Sequence, residues 1–360
     1  MLLRWYPRVR RDLPWRRTKD PYRIWLSEIM LQQTRVEAVS RYYARFLDRF
    51  PDLASLARTS LDRVLATWSG LGYYRRARML HAAAIEMVNG HGGRFPRTFD
   101  DALSLPGIGR STAGAILSIA YDLPFPVLDG NVQRVLCRYF ALDGDPRRAP
   151  LESRLWEIAA EVVGRGAPGD VNQALMEIGA TVCLPAGNAR CDECPVNQTC
   201  RARALGRVAE LPRSKKRAPL VPETWLVALV EIRGCYLVRR RDEKLLHGMW
   251  ELPTRVAPRL RNSLLTAREL VADELRRLGV PVRVGPQVMT HRQAISGRNV
   301  LHRVFAAGPR TAVSLNGSKV RSKVAEARAQ VALLPPRTIL RLSITTATRR
   351  ILERFEHHEA

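Results

Sequence analysis

No stretch of this 360-residue chain reaches the roughly 18 uninterrupted apolar residues of a membrane-spanning helix, so no helical span is expected. Cysteine is scarce. Six residues are too few for a disulfide scaffold, and four of them crowd between positions 183 and 200, which in a reducing compartment points to metal. Acidic residues are also in short supply, with 34 Asp and Glu against 59 Lys and Arg and a formal charge of +25. That imbalance points to a polyanionic partner, since each phosphate neutralised by a basic side chain releases counterions. A signal-peptide apolar region is missing from Met1-Leu2-Leu3-Arg4-Trp5, so a cytoplasmic, nucleoid-associated protein is expected. There is no long internal repeat and no low-complexity tail. What is present, 46% hydrophobic and 26% charged residues, describes a globular chain long enough for two domains.

Strand-like alternation is nearly absent from residues 1–205. Apolar positions recur there at three- and four-residue spacing through Ile24–Val36, Leu61–Trp68, Ala77–Val88, Thr112–Ala120, Val132–Phe140 and Leu155–Val163. The first region is therefore expected to be all-α. Residues 206–222 turn basic and proline-bearing and read as an interdomain linker. Residues 223–355 change to strand patterns at Trp225–Ile232 and Tyr236–Arg240, with Gly234 in a hairpin turn between them. A helix over Leu264–Leu278 and further strands at Val282–Val284 and Val300–Ala306 make this second domain α+β.

Three motifs carry chemistry. In Leu105-Pro106-Gly107-Ile108-Gly109-Arg110-Ser111-Thr112, a glycine hairpin precedes the helical Ala115–Ala120. Such a helix–hairpin–helix leaves backbone N–H groups pointing outward at a helix N-terminus, where a DNA phosphate can sit without sequence being read. Gly107, Gly109 and Ser111 are the candidate phosphate-side residues. The second motif is Cys183, Cys191, Cys194 and Cys200, four thiolates within 18 positions. They suit a [4Fe–4S] cluster. Zinc is the competing reading, and the lack of paired Cys-x-x-Cys knuckles favours the cluster. Cys137 and Cys235 lie in apolar runs and read as ordinary buried residues.

The third motif is a pair of carboxylates. Glu28 interrupts the apolar run Trp25–Leu31, where desolvation would raise its pKa and fit it for general-acid work near neutral pH. Asp129 follows Phe125-Pro126-Val127-Leu128 at the start of a helix. It could cap that helix or stay ionised beside a reacting sugar.

Together these stretches resemble the MutY-type adenine DNA glycosylases of the helix–hairpin–helix, iron–sulfur superfamily that includes endonuclease III. The likeness runs from Leu13-Pro14-Trp15-Arg16 to Cys200 and includes Gly70–Ala77, Leu128–Val132 and Asn172–Met176. It implies that Glu28 protonates N7 of an extruded adenine, that Asp129 stabilises an oxocarbenium-like sugar, and that Asn131 orients the acid site. By the same likeness Arg16, Leu31 and Gln173 line an adenine pocket, while Gln33 and Tyr73 fill the stack or wedge beside the lesion. Endonuclease III relatives carry a nucleophilic lysine where this chain has Ser111, so a monofunctional enzyme leaving an abasic site is implied.

The second domain resembles the Nudix-like domain with which MutY proteins recognise 8-oxoguanine, through Tyr236–Arg241 and Leu246–Pro253. Its helix offers only Glu269 and Glu274, with Arg276 and Arg277 where acids would be wanted, which implies loss of nucleotide hydrolysis. Thr290 and His291, in Met289-Thr290-His291, match the family's lesion-reading Phe-Ser-His loop. The implied partner is double-stranded DNA with adenine opposite 8-oxoguanine or guanine, handled by a monomer. A thymine or uracil glycosylase of the same fold, and a non-enzymatic iron–sulfur DNA sensor, are the alternatives.

Overall fold

The computed structural model describes residues 1–185, 187–213, 218–257, 264–280, 282–308 and 330–356. The chain divides into two compact units, Met1–Thr59 with Arg75–Arg217, and Ser60–Tyr74 with Ala218–Ala360. The helices of the first part are α1 (Leu2–Val9), α2 (Pro21–Leu31), α3 (Val36–Arg49), α4 (Leu53–Arg58), α5 (Leu61–Trp68), α6 (Arg75–Gly90), α7 (Phe99–Ser104), α8 (Arg110–Tyr121), α9 (Gly130–Tyr139), α10 (Leu151–Val163), α11 (Pro168–Thr181) and α12 (Arg201–Ala204). A 3-10 turn, Pro14–Arg16, precedes α2.

Local chemistry explains where these helices begin and end. Asp20 caps α2 by accepting from the Tyr22 amide, with Pro21 pre-set at the first helical position. The periodicity of Ile24–Val36 suggested one continuous helix, but α2 stops at Leu31. Gln33 adopts φ +55°, and the buried Arg76 guanidinium donates to the Ile29, Met30 and Gln32 carbonyls at 3.0, 2.5 and 2.6 Å. These are the C-terminal acceptors a helix leaves open, and a cation at that end also suits the helix dipole.

The core of the first unit is built from α2, α8, α11 and α9, each packed on the next. Two close approaches leave no room for a side chain. A Cβ on Gly114 of α8 would lie 2.1 Å from the Pro126 carbonyl oxygen, and one on Gly179 of α11 would lie 2.5 Å from Asn131 Cβ. Around them Trp25, Leu26, Met30, Ile116, Leu117 and Leu155 are buried.

The second unit is a sheet in the order β3-β2-β1-β6-β5, formed by β1 (Val221–Ile232), β2 (Cys235–Arg240), β3 (Trp250–Glu251), β5 (Arg283–Ile295) and β6 (Arg298–Gly308), with β4 (Thr254–Val256) on β1 and β7 (Val331–Leu334) on β2. β1 pairs parallel with β6 and antiparallel with β2. Leu226, Ala228 and Val230 pack with Ala267, Val271 and Leu275 of α13 (Leu264–Arg277). Their neighbours Val227 and Leu229 pack with Ile339 of α14 (Pro336–Ile339), Ile344, and Ile351 and Leu352 of α15 (Thr346–Glu356). Helices on both sheet faces explain why Trp225–Val230 reads as an unbroken apolar run.

Segment 60–74 groups with this unit: the Tyr74 hydroxyl donates to the Ile344 carbonyl at 3.4 Å and Arg240 pairs with Asp62 at 2.7 Å. The strands foreseen at Val282–Val284 and Val300–Ala306 are parts of a much longer β5–β6 hairpin, turning at Ser296-Gly297. Its outer strand lies at the sheet edge with alternate residues exposed, so it carries too little apolar sequence to register as a strand. Cys137 is buried as expected. Cys235 is only half-buried, because it opens β2 directly after the Arg233-Gly234 turn.

Gly114→Ala should destabilise the protein by about 1–3 kcal/mol, the usual range for overpacking a close contact. Gly90→Ala, in open space at the end of α6, should leave stability unchanged or slightly raised. Urea unfolding of the two variants side by side checks both.

Candidate active site

A cleft of about 360 Å³ opens in the first unit between α2, α8, the α9 N-terminus, α11 and the Pro14–Arg16 turn. Its lining brings together Glu28, Leu31, Arg16, Ser111, Asp129, Asn131 and Gln173. These positions lie up to 157 residues apart, from Arg16 to Gln173. Gln33, exposed in the turn after α2, and the hairpin glycines lie outside the lining.

Glu28 stands on α2 between buried neighbours, is itself half-buried, and lines the cleft. No hydrogen-bond donor reaches its carboxyl among the described residues. Burial first, and the nearby Asp129 second, push its pKa up to about 7, while Arg16 pulls the other way. Asp129 is in a different position. Its Oδ1 accepts from the Asn131 and Val132 amides at 3.0 and 2.8 Å, and its Oδ2 from Asn131 Nδ2 at 3.2 Å. It is therefore the N-cap of α9 and a wall of the cleft at once. Burial raises its pKa, and those donors work against the rise.

The approach to Asp129 is pinned from two sides. Ser111 Oγ accepts from the Leu128 amide at 3.1 Å. The fully buried Asn172 accepts from the Val127 amide at 3.0 Å and donates to the Phe125 carbonyl and Ser118 Oγ, both at 2.9 Å. Arg134, one turn along α9 from Asn131, donates to Asn131 Oδ1 at 2.9 Å, the Gly179 carbonyl at 2.6 Å and the Cys183 carbonyl at 2.7 Å. Gln173 is held by a 3.3 Å bond from its amide to the Gly169 carbonyl.

Sequence reasoning passed over Asn172, Arg134, Arg11 and Glu177 as site residues. Glu177 had the same signal as Glu28, a carboxylate inside an apolar helical run. It is fully buried and accepts from Arg11 and Arg16, which depresses its pKa to about 2 against the cost of burial. Arg134 offered no signal, since its acceptors are backbone atoms distant in sequence.

Below the cleft, the cysteine loop follows α11. Cys191 and Cys194 flank a 3-10 turn and Cys200 caps α12. All four thiols are half-buried and unbridged. Burial raises the Cys191 and Cys194 thiols, and the neighbouring cysteines raise them further, so the sulfur atoms feel one another. Arg138, buried in α9, donates to Cys183 Sγ at 3.2 Å and to the Leu184 and Leu211 carbonyls. Among the described residues no three His, Cys, Asp or Glu side chains gather closely enough for a single ion. A tetrahedral zinc site would demand thiolates all about 2.3 Å from one centre. Four half-buried thiols beside the buried Arg138 guanidinium suit an anionic metal–thiolate group.

At the hairpin, Gly107 has φ +81° and sits where a Cβ would come 2.8 Å from Met79 Cβ. Gly109 is the N-cap of α8 and no side chain caps that helix. Its first-turn amides are thus left for an outside acceptor.

In the second unit, Tyr73 is 53% exposed with φ +49°. Thr290 and His291 lie within the paired strand β5, opposite Arg303 and His302, and not in a loop. Adjacent strand residues point to opposite faces. Thr290 is exposed, whereas His291 is half-buried with Nε2 3.2 Å from Gln293 Oε1. Glu269 is exposed while Glu274 is buried and bonded to Arg277 at 2.9 Å, so these two acids are not a pair.

Residues 26–161 match the family model described as HhH-GPD superfamily base excision DNA repair protein. The chain is 40% identical over 306 residues to the adenine DNA glycosylase of Mus musculus, covering 70% of this chain and 59% of that one. It is 37% identical over 255 residues to that of Buchnera aphidicola subsp. Schizaphis graminum, covering 70% and 73%. The chain thus spans less than two thirds of the mouse relative's length. Among solved structures, a thermostable thymine-DNA glycosylase superposes with TM-score 0.52 and 30% identity, covering 57% of this chain and 94% of that one.

Replacing Arg134 by Met should strip donors from the Asn131, Gly179 and Cys183 oxygens and cost at least about 3 kcal/mol, since each bare acceptor costs about 1–3. Hydrogen exchange should then speed up at the Asn131 and Val132 amides. An unchanged exchange rate there would show that Asp129 needs no support from Arg134.

Proposed function

The chain belongs to the adenine DNA glycosylase family of the HhH-GPD superfamily, and from that membership we propose that it excises adenine mispaired with 8-oxoguanine or guanine, leaving an abasic site. The observation that carries this reading is the pair of dissimilar carboxyls in one cleft, Glu28 bare of donors and pushed to about 7, Asp129 held by three.

In the proposed reaction adenine leaves the stack and enters the cleft, where Arg16, Leu31 and Gln173 surround it. Glu28 gives its proton to N7. The C1′–N9 bond then breaks with its electron pair passing into the neutral purine. The ionised Asp129 faces the positive charge left on the sugar, and Asn131 keeps that carboxylate oriented. Water adds to C1′, and Glu28, now a carboxylate, takes up its proton. Ser111 is engaged with the Leu128 amide and has no amine to form a Schiff base, which supports the monofunctional outcome.

Cys183, Cys191, Cys194 and Cys200 would hold a [4Fe–4S] cluster, which would lend its loop, with Arg190, Arg201 and Arg203, a fixed shape against DNA. The hairpin around Gly107 and Gly109 would take a phosphate, and Gln33 and Tyr73 would fill the space left by the base. A sheet covered by helices on both faces supports a Nudix-like reading of the second unit, with exposed Thr290 the better placed lesion contact of its pair. One cleft on one chain makes a monomer the proposed working form, in the cytoplasm beside the nucleoid. A second reading, thymine removal opposite guanine, is favoured by the thymine-DNA glycosylase similarity. A pyrimidine, however, has no counterpart of N7 for the Glu28 proton.

Single-turnover assays on duplexes with A opposite 8-oxoguanine, A opposite G and T opposite G should release adenine only, with strand breaks appearing after alkali alone. Glu28→Gln should slow release by at least about 10²-fold. The pH profile should be bell-shaped. Release should fall above about pH 7 as Glu28 loses its proton, and on the acid side as Asp129 gains one above the ordinary carboxylate range. Thymine release from T opposite G would replace the adenine assignment. Iron and sulfide each near four per chain, lost on Cys191→Ser, would support the cluster.

A further inference from the structure

The proposed reaction makes no direct use of Glu177, the fully buried carboxylate of α11. Its four hydrogen-bond donors all come from two arginines. The Arg11 amide and Nε lie at 3.0 Å, Arg11 Nη2 at 2.9 Å, and Arg16 Nη2 at 2.7 Å. Arg16 is fixed further by its own bond to the Arg11 carbonyl at 3.2 Å and by the Tyr6 ring, 5.7 Å from its guanidinium carbon. Only a tenth of the Arg16 side chain is exposed, and it lines the cleft.

This places a permanently charged guanidinium beside the acid that must carry a proton. A cation within a few ångströms ordinarily lowers a carboxyl's pKa by about 1–3 units. Charged groups face Glu28 from two directions, Asp129 at the α9 N-terminus and Arg16 in the turn before α2. Arg11 also lines the cleft and is the more exposed of the two arginines, but its guanidinium is committed to Glu177. From α8 the cleft receives Ser111, Thr112 and Ile119, none of them charged, and Arg76 of α6 is turned to the carbonyl end of α2. Arg16 is therefore the one cation opposing protonation of Glu28 among these, and its charge is shared with Glu177.

We propose that Glu177 is a positioning residue that offsets the Arg16 charge, so that an arginine can hold the purine in the cleft without drawing the proton off Glu28. The inference rests on the adenine-excision reading. It explains why an acid is buried one helical turn from Gln173, out of reach of any base. A guanidinium paired with a carboxylate acts on Glu28 as a dipole, whose effect falls off faster with distance than that of a lone charge. With both arginines the triad carries one net positive charge, where without Glu177 it would carry two.

The test is single-turnover adenine release against pH for the full-length protein and three variants. In Glu177→Gln the alkaline limb should move about one unit below the wild-type position near 7, so the rate should fall about ninefold at pH 8 but only about twofold at pH 6. Glu177→Asp, which keeps the charge, should restore the limb even if the rate stays reduced. Arg11→Gln should move it the opposite way, to higher pH, because Glu177 then answers Arg16 alone. Slower release with an unmoved limb in Glu177→Gln would make Glu177 a structural residue and overturn the proposal. If that variant does not fold, Arg11→Gln decides, and an unmoved limb there overturns it. Wild-type protein that releases no adenine would sink the functional reading instead. The same variants would then be compared by carboxyl NMR titration of Glu28, where equal midpoints would overturn the proposal independently.

Discussion

A carboxyl group that is to hold a proton near neutral pH must be kept from water and from hydrogen-bond donors, and much of the first unit follows from meeting that demand at Glu28. The residue sits on the face of α2 that would otherwise be core, between Trp25 and Met30. Excluding water requires close neighbours, and close approaches occur at helix glycines, Gly114 of α8 against the Pro126 backbone and Gly179 of α11 against Asn131 of α9. The helix itself ends three residues later because Arg76 gathers its last carbonyls, which presents Gln33 in a left-handed turn at the rim.

Asp129 shows the opposite solution applied to the same functional group a short distance away. Three N–H donors oppose the effect of burial, two of them from the helix whose N-terminus it caps. Capping and catalysis would normally be alternative explanations for an aspartate at that position. Here the two are compatible, since the residue that closes α9 also lines the cleft. Two chemically similar side chains are thereby separated in character by their donors and not by their depth.

The parts of this arrangement that were legible in the sequence are those where a residue contradicts its surroundings. Glu28 interrupts an apolar stripe, Asp129 follows one, and four cysteines cluster where chance would scatter them. Glu177 carried the same contradiction, but its partners Arg11 and Arg16 lie at the other end of the helical region, so its place beside the cleft was not legible. What was not legible depends on partners far along the chain. The end of α2 is decided by Arg76, more than 40 residues away, so periodicity ran the helix through to Val36. Arg134 and Asn172 act on backbone atoms, which carry no residue identity to recognise. In the second unit the buried β1 was plain from composition, while the edge strand β5, polar on its outer side, was shortened to three residues. Thr290 and His291 were adjacent in sequence and so were read together, but a strand turns them to opposite faces.

The close approaches at Gly114 and Gly179 have a mechanical consequence. Helices seated this close, α8 on the Pro126 backbone and α11 on Asn131 of α9, have little slack through which to slide or part, so α8, α9 and α11 form a stiff anvil around the cleft. A base cannot be met halfway by such a surface. The distortion needed to bring it in must be borne by the duplex, whose resistance depends on how well that base is paired and stacked. Discrimination would then begin before any pocket contact forms, with weakly held bases yielding first and sound pairs turned away by their own stiffness.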